Sequence, residues 1–112
     1  MSEFHKTDKP IVHYVHANNN KNKIKLISLF TRDATVIDEG RFYKGIDAIK
    51  MWRKKMNSVH DITLEIVGKS KAGDGIMADI LCTGNFPESP FITQHHFSLK
   101  NNLILYLKIN RI

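Results

Sequence analysis

The sequence has little cysteine and no long apolar run. Its single cysteine, Cys82, excludes a disulfide within the chain and fits a reducing compartment. The longest uninterrupted apolar stretch, Leu103 to Leu107, is too short to cross a bilayer, and the N-terminus has no apolar segment that could act as a signal peptide. We therefore expect a soluble, cytoplasmic protein that does not associate with membranes.

The motifs of the common cofactors are also missing. The chain has no glycine-rich motif that could cradle a phosphate group. His95 and His96 are adjacent and would point to opposite faces of a strand, and His13 with His16 has no evident third ligand. We expect neither a cofactor nor a bound metal.

Acidic residues are fewer than basic ones. The chain has 17 Lys and Arg residues and 11 Asp and Glu residues, which gives a formal net charge of +6. Such an excess raises the question of nucleic-acid binding. The densest basic groups are Lys21, Lys23 and Lys25, and then Lys50, Arg53, Lys54 and Lys55. The second group is typical of the solvated side of an amphipathic helix, and no aromatic residues are interleaved with it for base stacking. We expect no nucleic-acid partner.

Length and hydrophobic periodicity predict one domain over residues 1–112, with a flexible N-terminus at 1–7. Apolar spacings of three and four predict three helices. The first begins near Asp8 and Pro10 and ends at about Asn18, the second begins at Asn22, and the third covers about Asp47 to Met56. In the second helix, Ile24, Ile27 and Phe30 form the predicted buried face.

Alternating apolar and polar residues predict six strands. A short hairpin, Ala34 to Asp38 and Arg41 to Lys44, turns at Glu39-Gly40, and four longer strands start near Ile62. Turns are expected at 72–75 and 101–102, and an irregular connection at 84–90. The inward-facing sets are Ile76, Ala78, Ile80 and Cys82 on the fourth strand, and His95, Phe97 and Leu99 on the fifth.

Helices gathered on one face of an antiparallel sheet define the α+β class. A strongly curved sheet wrapped around helices leaves a concave space, and a concave apolar pocket is the default site for a small ligand. Trp52, Ile80, Cys82 and Phe97 are the predicted substrate-binding residues of this pocket. Trp52 has the size of a pocket wall and equally of a core residue, and Cys82 has no cationic neighbour that would activate its thiol.

A resemblance to a known family rests on the order of the elements and on two local segments. These segments are Phe30 to Val36, and Gly84-Asn85-Phe86-Pro87 with Ser89-Pro90. Along nearly its whole length the chain resembles the nuclear transport factor 2-like superfamily, and in particular its SnoaL-like and ketosteroid isomerase-like members. The resemblance implies a cone-shaped fold with a strongly curved antiparallel sheet around three helices and a central pocket. It is specific for fold and poorly specific for function.

The ketosteroid isomerase pattern is similar at two of three catalytic positions. Tyr14 precedes Phe30 by sixteen positions, and Asp38 ends an Ala-Thr-Val-x-Asp strand where that family has its general base. His95 stands where the family has a protonated aspartic acid. The resemblance implies Asp38 as general base with Tyr14 and His95 as donors, the histidine acting either neutral or charged.

Each of these three residues also has a structural interpretation. Asp38 could be a turn residue before Glu39-Gly40, Tyr14 a core tyrosine, and His95 a satisfied histidine of the sheet. Two functions therefore stay open: proton transfer, isomerisation, lyase or cyclase chemistry on a small apolar carbonyl compound, or binding of a ligand or protein without catalysis. Val67, Met77 and Leu81 on the outer sheet face predict a homodimer.

Overall fold

A computed structural model describes residues 9–57, 61–73 and 75–111, without the side chains of residues 56 and 57. The predicted flexible segment 1–7, Asp8 at the helix start, the Met56 side chain and Asp74 of the hairpin turn lie outside the described residues. Three helices and six strands follow one another as α1 Lys9–Asn19, α2 Lys23–Ser28, β1 Phe30–Asp38, β2 Arg41–Lys44, α3 Ile46–Asn57, β3 Ile62–Ala72, β4 Gly75–Gly84, β5 Phe91–Lys100 and β6 Leu103–Arg111.

The predicted second helix is wrong in its length, and its predicted buried face is wrong at Ile24. Asn22 caps α2 as expected, since its side chain accepts a hydrogen bond from the Lys25 amide at 3.0 Å. The helix ends at Ser28, and Phe30 is the first residue of β1. With so short a helix the packing face is set by Leu26, which is fully buried, whereas Ile24 is 86% exposed.

The sheet is mixed, which corrects the expectation of an antiparallel sheet. Its strand order is β2-β1-β6-β5-β4-β3, and four of the five neighbouring pairs are antiparallel. The exception is β1 with β6, which run parallel with Val36 beside Leu107. The long meander from β3 to β6 places the last strand beside β1 of the β1–β2 hairpin. The two strands run in the same direction, so their pairing is parallel.

One hydrophobic core joins the three helices to the inward face of the sheet. Its fully buried members include Ile11, Leu26, Ile49, Ile80, Phe97 and Leu107. The predicted inward face of β4 is confirmed, because Ala78, Ile80 and Cys82 are buried. In the described ranges 9–57, 61–73 and 75–111, no helix has the length and apolarity needed to cross a membrane.

Irregularities in the ladder accompany the bending of the long strands. The register shifts between Ile66 and Gly68 on β3 and between Ser98 and Leu99 on β5. Extra residues of this kind bend a strand and increase its twist. An open space is left between the inner face of the sheet and helices α1 and α3.

Candidate functional site

The space inside the sheet is a cavity of about 670 Å³. This volume falls in the range of pockets that enclose small molecules. Five residues singled out in the sequence line it: Tyr14, Asp38, Trp52, Cys82 and His95. Ile80 and Phe97 are completely buried in the core and are not among its lining residues.

Asp38 is placed at the cavity by the end of β1 and by the turn that follows. Glu39 and Gly40 have φ of 52° and 78°, so the chain reverses directly after the aspartate, as expected for this pair. The carboxylate Oδ2 accepts a hydrogen bond from the indole Nε1 of Trp52 at 3.0 Å. Burial raises the pKa of Asp38, and the hydrogen bond from Trp52 partly opposes that rise. Asp38 is therefore both the residue before a turn and a cavity carboxylate.

Tyr14 lies on the inner face of α1, with only 2% of its surface exposed. Its ring makes edge-on contacts with His95 and Phe97, with centroids 5.7 Å and 5.4 Å away. Burial raises the pKa of the Tyr14 hydroxyl, against the opposing charge of Arg53. The phenol consequently stays protonated at neutral pH and is available as a hydrogen-bond donor.

His95 projects from β5 toward the cavity and is almost fully buried. Burial lowers the pKa of His95 to about 3, so the ring is neutral at physiological pH. Its Nδ1 lies 3.2 Å from the hydroxyl of Thr93, which also lies 3.5 Å from the Ile80 carbonyl. A neutral imidazole has one N–H, and the contact with Thr93 decides which nitrogen bears it.

Arg53 was missed by the sequence analysis, and its predicted exposure is wrong. Only 8% of Arg53 is exposed, and it lines the cavity beside Trp52. Its Nε has no hydrogen-bond partner among the described residues. The signal is visible in retrospect, because Ile49, Trp52 and Arg53 are spaced as i, i+3 and i+4 and thus share the buried face of α3.

The neighbouring basic residues of α3 behave as predicted. Lys50, Lys54 and Lys55 are exposed. Burial on this helix therefore depends on the position of a residue around the helix axis. Arg53 is buried despite its charge because it lies on the face of α3 that packs inward.

Charge distinguishes this cavity from the apolar pocket expected. Five basic residues line it, namely Lys21, Arg41, Arg53, Lys55 and Arg111, against three acidic ones, Asp38, Glu39 and Glu88. Lys21 is paired with Asp61 at 2.9 Å, and the guanidinium of Arg111 lies 4.1 Å from the ring centroid of Phe91. Among the described residues, positive charge thus exceeds negative charge in the cavity lining, whose other members are aromatic, aliphatic and polar side chains.

Cys82 is buried on the wall of the cavity. Burial raises the pKa of the Cys82 thiol, whose Sγ lies 3.6 Å from the Thr93 hydroxyl. A thiol in such surroundings is a poor nucleophile. In the part of the chain that the structure describes, no three His, Cys, Asp or Glu side chains cluster as metal ligands.

Fold and cavity together define the cone-shaped α+β class of the nuclear transport factor 2-like superfamily, which confirms the resemblance seen in the sequence. The chain is similar to a crystal structure of a candidate polyketide cyclase from Sinorhizobium meliloti, with 27% identity, a TM-score of 0.85 and coverage of 96% of this chain and 100% of the other. A candidate SnoaL-like polyketide cyclase from Shewanella putrefaciens is 15% identical, with a TM-score of 0.81 and coverages of 97% and 81%.

A third similar structure is a hypothetical protein with a ketosteroid isomerase-like fold from Catenulispora acidiphila, solved in complex with trimethylamine. It is 18% identical, with a TM-score of 0.78 and coverages of 91% and 84%. No protein-family profile and no curated protein matches the chain. Similarity at these identities establishes the fold, so function has to be argued from the cavity itself.

Proposed function

We propose that this protein binds a small carbonyl compound in its cavity and catalyses proton transfer on it, with Asp38 as the general base. The observation that supports this best is the position of the carboxylate. Asp38 is partly buried on the cavity wall, its pKa is raised by burial, and Trp52 holds one of its oxygens. A base with a pKa raised toward neutrality abstracts a proton more effectively than a solvated aspartate.

In the proposed reaction, the Asp38 carboxylate takes a proton from the carbon next to the carbonyl. The C–H electron pair forms the C=C bond of an enolate, and negative charge develops on the carbonyl oxygen. Tyr14 and neutral His95 are the donors proposed for that oxygen; His95 donates through Nε2–H, in the tautomer whose Nδ1 accepts from the Thr93 hydroxyl. Return of the proton to another carbon gives isomerisation, and loss of a β-substituent gives elimination. Attack of the enolate carbon on a second carbonyl of the same molecule gives ring closure.

The two donors suit this role because both are buried and uncharged. Tyr14 and His95 contact each other edge to face on the wall of the same cavity. Buried neutral donors stabilise a developing oxyanion and need no counter-charge when the site is empty. A cavity that merely stores an apolar molecule would not need a desolvated carboxylate, because such a group lowers stability.

Deuterium exchange tests the proposal without knowledge of the natural substrate. The bicyclic ketone 1-tetralone is incubated in D₂O with the wild type, with Asp38→Asn and with Asp47→Asn, an exposed aspartate of α3. We expect label at the carbon next to the carbonyl to appear faster than in buffer, with the rate falling about 10²- to 10⁴-fold in Asp38→Asn only. Exchange at the buffer rate in the wild type would favour binding without catalysis.

We also propose that the protein is a homodimer formed through the outer face of the sheet. Val67 is 49% exposed there, and Met77 and Leu81 are partly exposed. Ile92, 38% exposed, lies directly opposite Leu81 in the β4–β5 ladder and extends the same apolar surface. Exposed apolar side chains on a sheet face that the helices leave uncovered are typical of a symmetric interface.

A further inference from the structure

Arg53 is a buried cation to which the proton-transfer chemistry above assigns no role. The side chain is 92% buried, as its exposed fraction of 8% implies, and it lines the cavity with Nε unpaired among the described residues. Buried guanidinium groups are normally matched by an acceptor, because an unsatisfied donor loses its hydration without replacement. An acceptor from a bound molecule would satisfy this one.

We infer that Arg53 is an anion-binding subsite and that the molecule held in the cavity is a small amphipathic organic acid, with its oxyanion group on Arg53. This inference rests on the proposed function, since it names the class of molecule on which Asp38 would act. The planar guanidinium presents several N–H donors in a fixed fork that matches a carboxylate or a similar group.

The surroundings of Arg53 favour an anion over a neutral molecule. Among residues 9–57, 61–73 and 75–111 no carboxylate forms a salt bridge with Arg53, and five basic residues against three acidic ones line the cavity. Aromatic and aliphatic side chains, among them Trp52, Phe91 and Leu64, also line the cavity. A molecule with an apolar body and one negative group satisfies both features.

Arg53 also lies near enough to Tyr14 for its charge to oppose the rise in the pKa of the phenol. An anion bound at Arg53 would therefore be close to the proposed hydrogen-bond donors. The subsite would orient the molecule in the cavity, and we describe Arg53 as a binding residue without a part in the proton transfer.

Two fluorescent probes that differ by one anionic group provide the test. The sulfonate is 8-anilinonaphthalene-1-sulfonate, and the neutral compound is N-phenyl-1-naphthylamine. Both are titrated against the wild type, Arg53→Met and Lys50→Gln, which removes an exposed cation from the same helix. We expect the preference for the sulfonate, taken as the ratio of the two Kd values, to fall about 10- to 100-fold in Arg53→Met and to stay unchanged in Lys50→Gln.

A direct readout on the proposed atom keeps the test valid if Arg53→Met does not fold. The Nε–H signal of Arg53 in a ¹⁵N NMR spectrum of the wild type is expected to shift on addition of the sulfonate and to shift less with the neutral probe. An unchanged preference in Arg53→Met, or an Nε–H signal that ignores the sulfonate, would overturn the anion subsite.

The outcomes separate this inference from the proposed function. Loss of exchange activity in Asp38→Asn together with an unchanged probe preference in Arg53→Met would leave the general base and remove the subsite. Loss of the probe preference in Arg53→Met together with normal exchange in Asp38→Asn would leave the subsite and remove Asp38 as the general base. If neither probe binds to the wild type, the anion subsite is overturned, and the exchange of 1-tetralone alone then decides the proposed function.

Discussion

The indole Nε1 of Trp52 donates a hydrogen bond of 3.0 Å to Oδ2 of Asp38. Trp52 belongs to α3 and Asp38 to the end of β1, so this bond joins the helix to the sheet at the wall of the cavity. It stabilises the charged carboxylate, whereas burial favours the protonated form. The two effects together set the pH at which Asp38 could act as a base.

Trp52→Phe is expected to raise the pKa of Asp38, because it removes the donor and keeps an aromatic ring. A base must be ionised to work, so the acidic limb of the pH–rate profile for exchange should move to higher pH. The same shift should appear in a ¹³C titration of the Asp38 carboxyl group, which needs no substrate. If the carboxyl titrates unchanged in Trp52→Phe, the indole does not control this pKa.

Asp38→Asn is expected to melt no lower than the wild type at neutral pH. Burial raises the pKa of Asp38 in the folded chain, so the folded chain binds the proton more tightly than the unfolded chain. The resulting stabilisation is complete below about pH 4 and is lost as the pH rises through the folded pKa. The amide of the variant carries no charge, so it avoids that loss of stability. Any gain in the melting temperature of the variant over the wild type should therefore shrink as the pH falls. A much lower melting temperature at pH 7 would identify Asp38 as a structural turn residue.

The sequence predicted most of the elements because each of them depends on local spacing. The turn at Glu39-Gly40 and the inward face of Ala78, Ile80 and Cys82 follow directly from turn chemistry and from alternation along a strand. The parallel pairing of β1 with β6 could not be predicted in this way, since the partners Val36 and Leu107 are far apart in the chain.

Two of the errors, one in the fold and one at the site, have physical causes. Phe30 suits the apolar spacing of a helix as well as a buried strand position, so the boundary between α2 and β1 was ambiguous. Arg53 was assigned to the solvated face because charged residues are rarely buried without a partner. Its burial is a departure from that general rule, and such departures are where function is to be sought.

Sedimentation equilibrium is expected to give twice the monomer mass at micromolar concentration. Leu81→Glu places a charge in the proposed interface, beside Ile92 in the neighbouring strand, and should shift the equilibrium to monomer. Ile24→Glu is the matched control, since Ile24 is 86% exposed on α2, away from the sheet. A monomeric wild type would remove the dimer proposal, and a dimer insensitive to Leu81→Glu would move the interface elsewhere.

We expect His95 to make the fold sensitive to acid, and replacing it should reduce that sensitivity. Burial lowers the pKa of His95 to about 3 in the folded chain, whereas an unfolded histidine titrates near its ordinary value of about 6.5. The unfolded chain therefore binds an additional proton between these values, so the stabilising contribution is complete above about pH 6.5 and is lost as the pH falls toward 3.

His95→Gln cannot take up that proton and retains a group able to hydrogen-bond with Thr93. We expect its melting temperature to fall less than that of the wild type between pH 7 and pH 4, with exposed His13→Gln following the wild type. Parallel curves for His95→Gln and the wild type would mean that the folded and unfolded chains bind this proton equally, so burial would not be what keeps the ring neutral.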